Sequence, residues 1–157
     1  MKFLIPLLGK TREAYLEEGI RDYAGRLRRY ATLDMPILKE RHVHGAPDER
    51  NLARQAEELL ACCAGVGIQL VVALDPLGTA LSSEELAALL SRRQEQGIAE
   101  IAFLIGGHLG LHRNVLSRAD FRLSLSKLTF THELSRLLLL EQLYRACTIQ
   151  AGHKYHI

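Results

Sequence analysis

Five short apolar runs, separated by segments of helical period, constrain the fold of this chain more than any other feature. They occupy 2–8 (KFLIPLL), 32–38 (TLDMPIL), 68–74 (IQLVVAL), 100–105 (EIAFLI) and 121–125 (FRLSL). Runs this short suit strands rather than helices. Between them, 12–30 places Tyr15, Leu16, Ile20, Tyr23, Leu27 and Tyr30 at helical intervals, with charges in the gaps. A second helical segment, 47–63, opens with Pro47, Asp48 and Glu49, residues suited to a first turn. A third begins at Ser82, which has capping-box spacing to Glu85 ahead of Leu86, Leu89 and Leu90. Strands alternating with helices predict an α/β fold, a mostly parallel sheet with helices on both faces.

With 157 residues, no internal repeat and no linker-like composition, residues 1–157 read as one domain. No apolar run reaches the roughly 20 residues of a membrane span. The opening MKFLIPLLGKTREAY reads as a first strand rather than a secretion signal, so no membrane partner is expected. Cys62, Cys63 and Cys147 are odd in number and form no C-x-x-C pair, as expected of reduced thiols in a cytoplasmic protein. The net charge of +2 permits a nucleic-acid partner without demanding one. Arg21, Arg26, Arg28, Arg29, Lys39 and Arg41 nevertheless crowd one stretch.

The last helical segment, THELSRLLLLEQLYRACTIQAG (131–152), holds four consecutive leucines, Leu137 to Leu140. A helix apolar on all sides must be buried on all sides, and one sheet covers a single face. A two-fold partner, making a homodimer, is expected on the other.

Three familiar site patterns fail. Gly9-Lys10-Thr11 follows a strand, but Leu4 stands where a P-loop has its first glycine. Gly106 and Gly107 end the fourth run, yet the order is not G-x-G-x-x-G, and Asp120 comes too early for a ribose-binding acid. His108 and His112 are split by Gly110, while His42 with His44 and His153 with His156 lack a third ligand, so no metal is expected. The remaining candidates lie in the final third. Gly106, Gly107 and Gly110 sit at the carboxyl end of a strand, where parallel sheets bind ligands. A tight strand-to-helix turn would use the same glycines. The polar loop LSKLTFTHE (125–133) and the tail AGHKYHI (151–157) complete the set.

These blocks carry a resemblance. FLIGGHLG, LSLSKLTFTHELSRLLLLEQLYRA and GHKYH, with LDPLG at 74–78, resemble the SPOUT methyltransferases. Within that family they resemble the small bacterial enzymes that methylate N3 of a pseudouridine in large-subunit ribosomal RNA. The resemblance implies a carboxyl-terminal trefoil knot, a departure from ordinary topology. It also implies S-adenosyl-L-methionine as methyl donor, a homodimer joined through the knot, and large-subunit ribosomal RNA or the ribosome as partner.

Carried over motif by motif, the resemblance implies a cofactor site of Leu74, Gly107, Ser126, Lys127, Leu128, Thr129, Phe130 and Thr131. A phosphate-free cofactor needs no helix-terminus phosphate cradle, which accounts for the missing fingerprint. Tyr155 and His156 are implied at the target base, Tyr155 by stacking and His156 as base or hydrogen-bond partner, with an ordinary pKa of about 6.5. Arg145 is implied beside them, as are His153 and Arg136 in secondary roles; Arg145 also sits four residues after Glu141, the order of a helix ion pair. The chain departs from the family at Lys154, where proline is common, and at Ile157, where a polar or basic residue commonly follows the histidine. A non-catalytic ribosome-associated RNA-binding protein on the same scaffold is the alternative function, and cofactor binding separates the two.

Overall fold

The computed structural model describes residues 1–39, 48–65 and 67–155. The first apolar run forms two strands, β1 (Lys2–Leu4) and β2 (Leu7–Leu8), and is followed by α1 (Ala14–Leu27). The second run divides in the same way into β3 (Thr32–Asp34) and β4 (Ile37–Leu38). Pro6 and Pro36 lie at the two breaks, and proline has no N–H to give to a ladder. Pairing survives across the gaps: Ile5 N–H donates to Asp34 O at 2.8 Å and Leu7 N–H to Pro36 O at 2.9 Å.

Beyond them the chain runs through α2 (Asp48–Ala64), β5 (Leu70–Ala80), α3 (Ser83–Glu95), β6 (Glu100–Leu104), α4 (Arg113–Arg118), β7 (Phe121–Ser124) and α5 (His132–Gln150). The main sheet has the order β3-β1-β6-β5-β7, with β2 and β4 forming a second, two-stranded sheet; every pairing is parallel. Pro47, expected in the first turn of α2, lies outside the described residues. Ser82 caps α3 as its spacing predicted: its hydroxyl accepts from Glu85 N–H at 3.1 Å while the Glu85 carboxylate accepts from Ser82 N–H at 2.7 Å.

Side chains alternate across the sheet and divide the core in two. Phe3, Ile5, Val72, Ile101 and Phe103 pack toward α1, α3 and α5, while Leu4, Val71, Ala102 and Leu104 pack toward α2 and α4. Helices thus cover both faces. The leucine run of α5 finds most of its cover inside the chain. Leu139 and Leu140 are fully buried, Leu137 and Leu138 partly, because α1 and α3 flank α5 as the sheet backs it. Its polar start is fastened as well. Arg136, buried, donates to Leu8 O at 2.6 Å and Thr11 Oγ1 at 3.0 Å, and the Glu133 carboxylate accepts from the amides of Arg12 and Glu13 at 3.0 and 3.2 Å. Among the described residues no helix is long and apolar enough to cross a membrane.

Two elements differ from expectation. β5 runs to Ala80, well past Leu74, with a register shift between Leu74 and Thr79 where residues 75–78 leave the ladder. Asp75 Oδ1 accepts from Leu77 N–H at 3.0 Å and holds that bulge, leaving Leu77 exposed. Helix α4 has only six residues, too few for a periodic signal.

Candidate active site

A cavity of about 760 Å³ opens at the carboxyl ends of β5, β6 and β7, within the usual size of a small-molecule site. Three segments wall it: 74–76 from the β5 bulge, 105–111 after β6, and 123–135 from β7 into α5, with Leu116 of α4. It brings together Leu74, Gly107, Ser126, Leu128, Thr129, Phe130 and Thr131, all expected from sequence. Lys127, expected with them, is exposed and is not part of the wall.

Local chemistry holds each wall. A Cβ on Gly106 would stand 2.4 Å from the carbonyl carbon and oxygen of Gly110, so the chain can fold this tightly only with hydrogen there. Gly110, at φ 80°, donates its N–H to Gly107 O at 3.0 Å and closes the loop. A Cβ on Gly107 would point away from neighbouring backbone, toward the Gln55 carboxamide of α2 at 3.3 Å. In the facing loop, Ser124 Oγ donates to Ser126 O and Ser126 Oγ accepts from Leu128 N–H, both at 3.0 Å. Thr131 ends it by capping α5, its hydroxyl accepting from Leu134 N–H at 3.3 Å. Leu128 itself is 71% exposed.

The lining is mostly apolar and, among the described residues, includes no lysine or arginine; its acid is Asp75, 3.7 Å from Arg122. Such walls suit a flat heteroaromatic group and a ligand of positive charge. They suit a phosphate less well, because among the described residues of the wall no lysine or arginine is present to pair with it. The residues therefore fit S-adenosyl-L-methionine, an adenosine with a sulfonium, better than a flavin nucleotide. His112 is accounted for without a metal: its Nδ1 accepts from Asn114 N–H at 3.1 Å as the cap of α4, and its Nε2 lies 3.0 Å from Glu49 Oε1. Burial pushes the Cys63 and Cys147 thiols up to about 11, which keeps them protonated and unreactive near neutral pH.

The tail forms a second cluster. Gly152, at φ 69°, turns the chain at the end of α5; its N–H donates to Ile149 O at 3.0 Å and that of His153 to Thr148 O at 2.9 Å, a Schellman arrangement. The reversed chain lies on α1 and α5. Tyr30 Oη pairs with His153 Nδ1 at 2.6 Å, and Tyr155 Oη lies 3.1 Å from Tyr23 Oη and donates to Glu141 Oε1 at 3.1 Å. The Tyr155 ring meets Tyr144 edge-on at 4.7 Å, with the Arg145 guanidinium 4.8 Å from its centre. Arg145 also donates to Glu141 at 2.6 Å, the ion pair its spacing allowed, and this bond raises its pKa above the ordinary value. Burial raises the Tyr155 phenol well above its ordinary value, reinforced by the Tyr23 hydrogen bond and the Glu141 charge.

Neither Tyr155 nor Arg145 lines the cavity of its own chain. Glu141, which holds both, is six residues along α5 from the wall residue Ser135, about 9 Å of helix and on another side of it. His156 lies outside the described residues. Sequence reasoning missed Ile105, Leu116 and Asp75 in the wall and Gln55 behind it. Asp75, inside the quoted LDPLG, and Ile105, inside FLIGGHLG, carried a signal; Leu116 and Gln55 did not.

Residues 1–156 match the family described as "Predicted SPOUT methyltransferase". A protein of Desulfotalea psychrophila named ribosomal RNA large subunit methyltransferase H is 46% identical over 156 residues, 99% of each chain. One of the same name from Symbiobacterium thermophilum is 41% identical over 160 residues, again 99% of each. In fold, the chain is similar to a probable methyltransferase from Bordetella pertussis (16% identity, TM-score 0.53, covering 93% of this chain and 95% of that one). It is also similar to a putative methyltransferase from Legionella pneumophila solved with bound SAM (13% identity, TM-score 0.51, covering 98% and 67%).

Proposed function

Since the chain belongs to the SPOUT methyltransferase family, we propose that it methylates N3 of a pseudouridine in large-subunit ribosomal RNA as a homodimer, with S-adenosyl-L-methionine as methyl donor. Residues 1–157 act as one domain, its carboxyl-terminal third threaded as a trefoil knot. The observation that carries this function is the cavity, which gathers Leu74, Gly107 and the 126–131 loop, distant in sequence, around an apolar space free of lysine and arginine. Full-length relatives named as ribosomal RNA methyltransferases supply the substrate class.

The cofactor supplies an electrophilic methyl group on a positively charged sulfur. Within the cavity wall, apolar Leu74, Ile105 and Phe130 would hold its adenine, and the 126–131 loop, braced by the Ser124 and Ser126 hydroxyls, would orient it. Holding donor and acceptor in line is itself worth several kcal/mol, up to about 7–11 in well-oriented cases. N3 of the base carries a proton, and a positioned base contributes ~10²–10⁴-fold. Tyr155, protonated and donating to Glu141, is unsuited to removing it; the family resemblance assigns Tyr155 to stack on the base and His156 to take the proton. Arg145, neutralised by Glu141 and lying against the Tyr155 ring, is a positioning residue.

The distance between the tail and its own cavity supports the homodimer, in which one subunit's tail serves the other's cofactor. Exposed Leu128 in the cavity wall, and exposed Leu77 next in sequence to the wall residue Pro76, offer apolar surface for that contact. Exposed Arg21, Arg28 and Arg29 share α1 and its end with the tail's tyrosines and offer charge for RNA. Titration calorimetry with S-adenosyl-L-methionine, followed by mass mapping of large-subunit RNA from cells with and without the gene, tests the function. Binding and a methyl-pseudouridine lost with the gene are expected; absence of binding, or an unchanged methyl mark, overturns it.

A further inference from the structure

The middle of α2 holds a carboxamide that the rest of the described chain leaves unpaired. Gln55 is 4% exposed, and neither its Oε1 nor its Nε2 has a hydrogen-bond partner among the described residues. Buried polar groups are nearly always paired, and an exception asks for an explanation. Here both polar atoms of one side chain are exceptions, beside the buried Ala56 and Leu59.

What Gln55 faces supplies the explanation. A Cβ on Gly107 would lie 3.3 Å from its Oε1 and 3.6 Å from its Nε2. With only hydrogen on Gly107, the carboxamide stands against the backbone of the loop whose other side lines the cavity. The same helix grips the far end of that loop, where Glu49 meets the buried His112 at 3.0 Å. Helix α2 therefore backs the 106–112 segment at two points. One is a formed polar contact, the other an unsatisfied amide.

We infer that Gln55 is a positioning residue for the proposed S-adenosyl-L-methionine site. When the cavity is filled, its carboxamide hydrogen-bonds the Gly106–Gly110 backbone and holds the loop in its binding shape. This rests on the cofactor assignment above. It gives the residue opposite effects in two states: without ligand it leaves buried polar atoms unpaired, and with ligand it stabilises the loop. Methionine, similar in length and without the amide, removes both effects. A side chain that only filled space would move both states in the same direction.

The test compares wild type with Gln55→Met by calorimetry with S-adenosyl-L-methionine and by thermal unfolding without ligand. Expected are about tenfold weaker binding, the loss of roughly one hydrogen bond, and an unliganded Tm equal to or above wild type. In wild type alone, NMR of the Gln55 side-chain amide should show a shift and slowed proton exchange on saturation with S-adenosyl-L-methionine. That measurement decides the matter even if the variant does not fold. Equal affinity in the two proteins, or an unchanged Gln55 amide at saturation, overturns this inference alone. Failure of wild type to bind overturns the cofactor assignment and this inference with it.

Discussion

Gly106→Ala tests the cavity wall at its tightest point. The new Cβ would lie 2.4 Å from the carbonyl carbon and oxygen of Gly110 and 2.9 Å from its Cα, where ordinary contact begins at 3.4 Å. Both sides are backbone, so no rotamer relieves the overlap, and the loop must open by about 1 Å (3.4 less 2.4). Opening it loses the Gly110 N–H to Gly107 O bond, about 1 kcal/mol. Overpacking of this kind adds ~1–3 kcal/mol. A total of ~2–4 kcal/mol, at ~2–4 °C per kcal/mol for a chain of this size, lowers Tm by roughly 5–15 °C. Affinity for S-adenosyl-L-methionine falls by at least about tenfold, because both ends of the opened loop line the cavity. Gly107→Ala is the comparison for stability: its Cβ meets only the movable end of Gln55, at 3.3 Å, so its Tm falls much less. Scanning calorimetry and titration calorimetry read both effects. A Gly106→Ala protein with wild-type Tm and affinity, or a larger Tm loss in Gly107→Ala, would refute the reasoning.

Further outcomes follow from the two ends of α5. For Glu133, burial alone would push the carboxyl up, but the Arg12 and Glu13 amides, with His132 and Arg136, outweigh it and hold the carboxyl below its ordinary value. Its stabilisation is thus complete above the ordinary carboxylate range, about 4.3, and is lost as pH falls through the lower folded value. Glu133→Gln should cost ~1.5–3 kcal/mol in urea unfolding at pH 7, the worth of a charged hydrogen bond, and progressively less toward pH 3; a gap independent of pH would count against the assignment. Deleting residues 155–157 should abolish methyl transfer while leaving S-adenosyl-L-methionine affinity within about twofold, since no described residue of the tail lines the cavity of its own chain and the tail's proposed role in the partner's site is at the target base. Retained transfer by the truncated protein would remove the tail from the chemistry.

The architecture was legible because its signal is repeated. Each apolar run supplies alternate side chains to two helical layers, so Phe3 and Leu4, or Val71 and Val72, report both faces at once. Pro6 and Pro36 were visible too, but only pairing in three dimensions shows that they interrupt neighbouring strands at matching places. Helix α4 escaped because six residues span less than two turns. The cavity wall was legible through family blocks, Leu74, Gly107 and the 126–131 loop apart from Lys127, rather than through periodicity. Gln55 was not: in RNLARQAEELL it is one polar residue among many, and only folding shows that it points inward. The tail was half legible. Its residue types suggested chemistry, but the Gly152 turn that lays Tyr155 on Glu141 depends on a backbone angle.

The fastening of α5 to the loop after β2 also sets an order of events during synthesis. Its four hydrogen bonds join residues 120, 121, 125 and 128 positions apart. At ~5–20 residues per second, a ribosome needs roughly 6–25 s to pass from Leu8 to Arg136. Throughout that interval the amides of Arg12 and Glu13 lack the Glu133 carboxylate that they bond in the folded chain. A nascent chain halted after Ser124 would already contain every strand of both sheets, yet its amino-terminal loop would still be open. The segment from Leu8 to Glu13 gains these bonds only once α5 has been made.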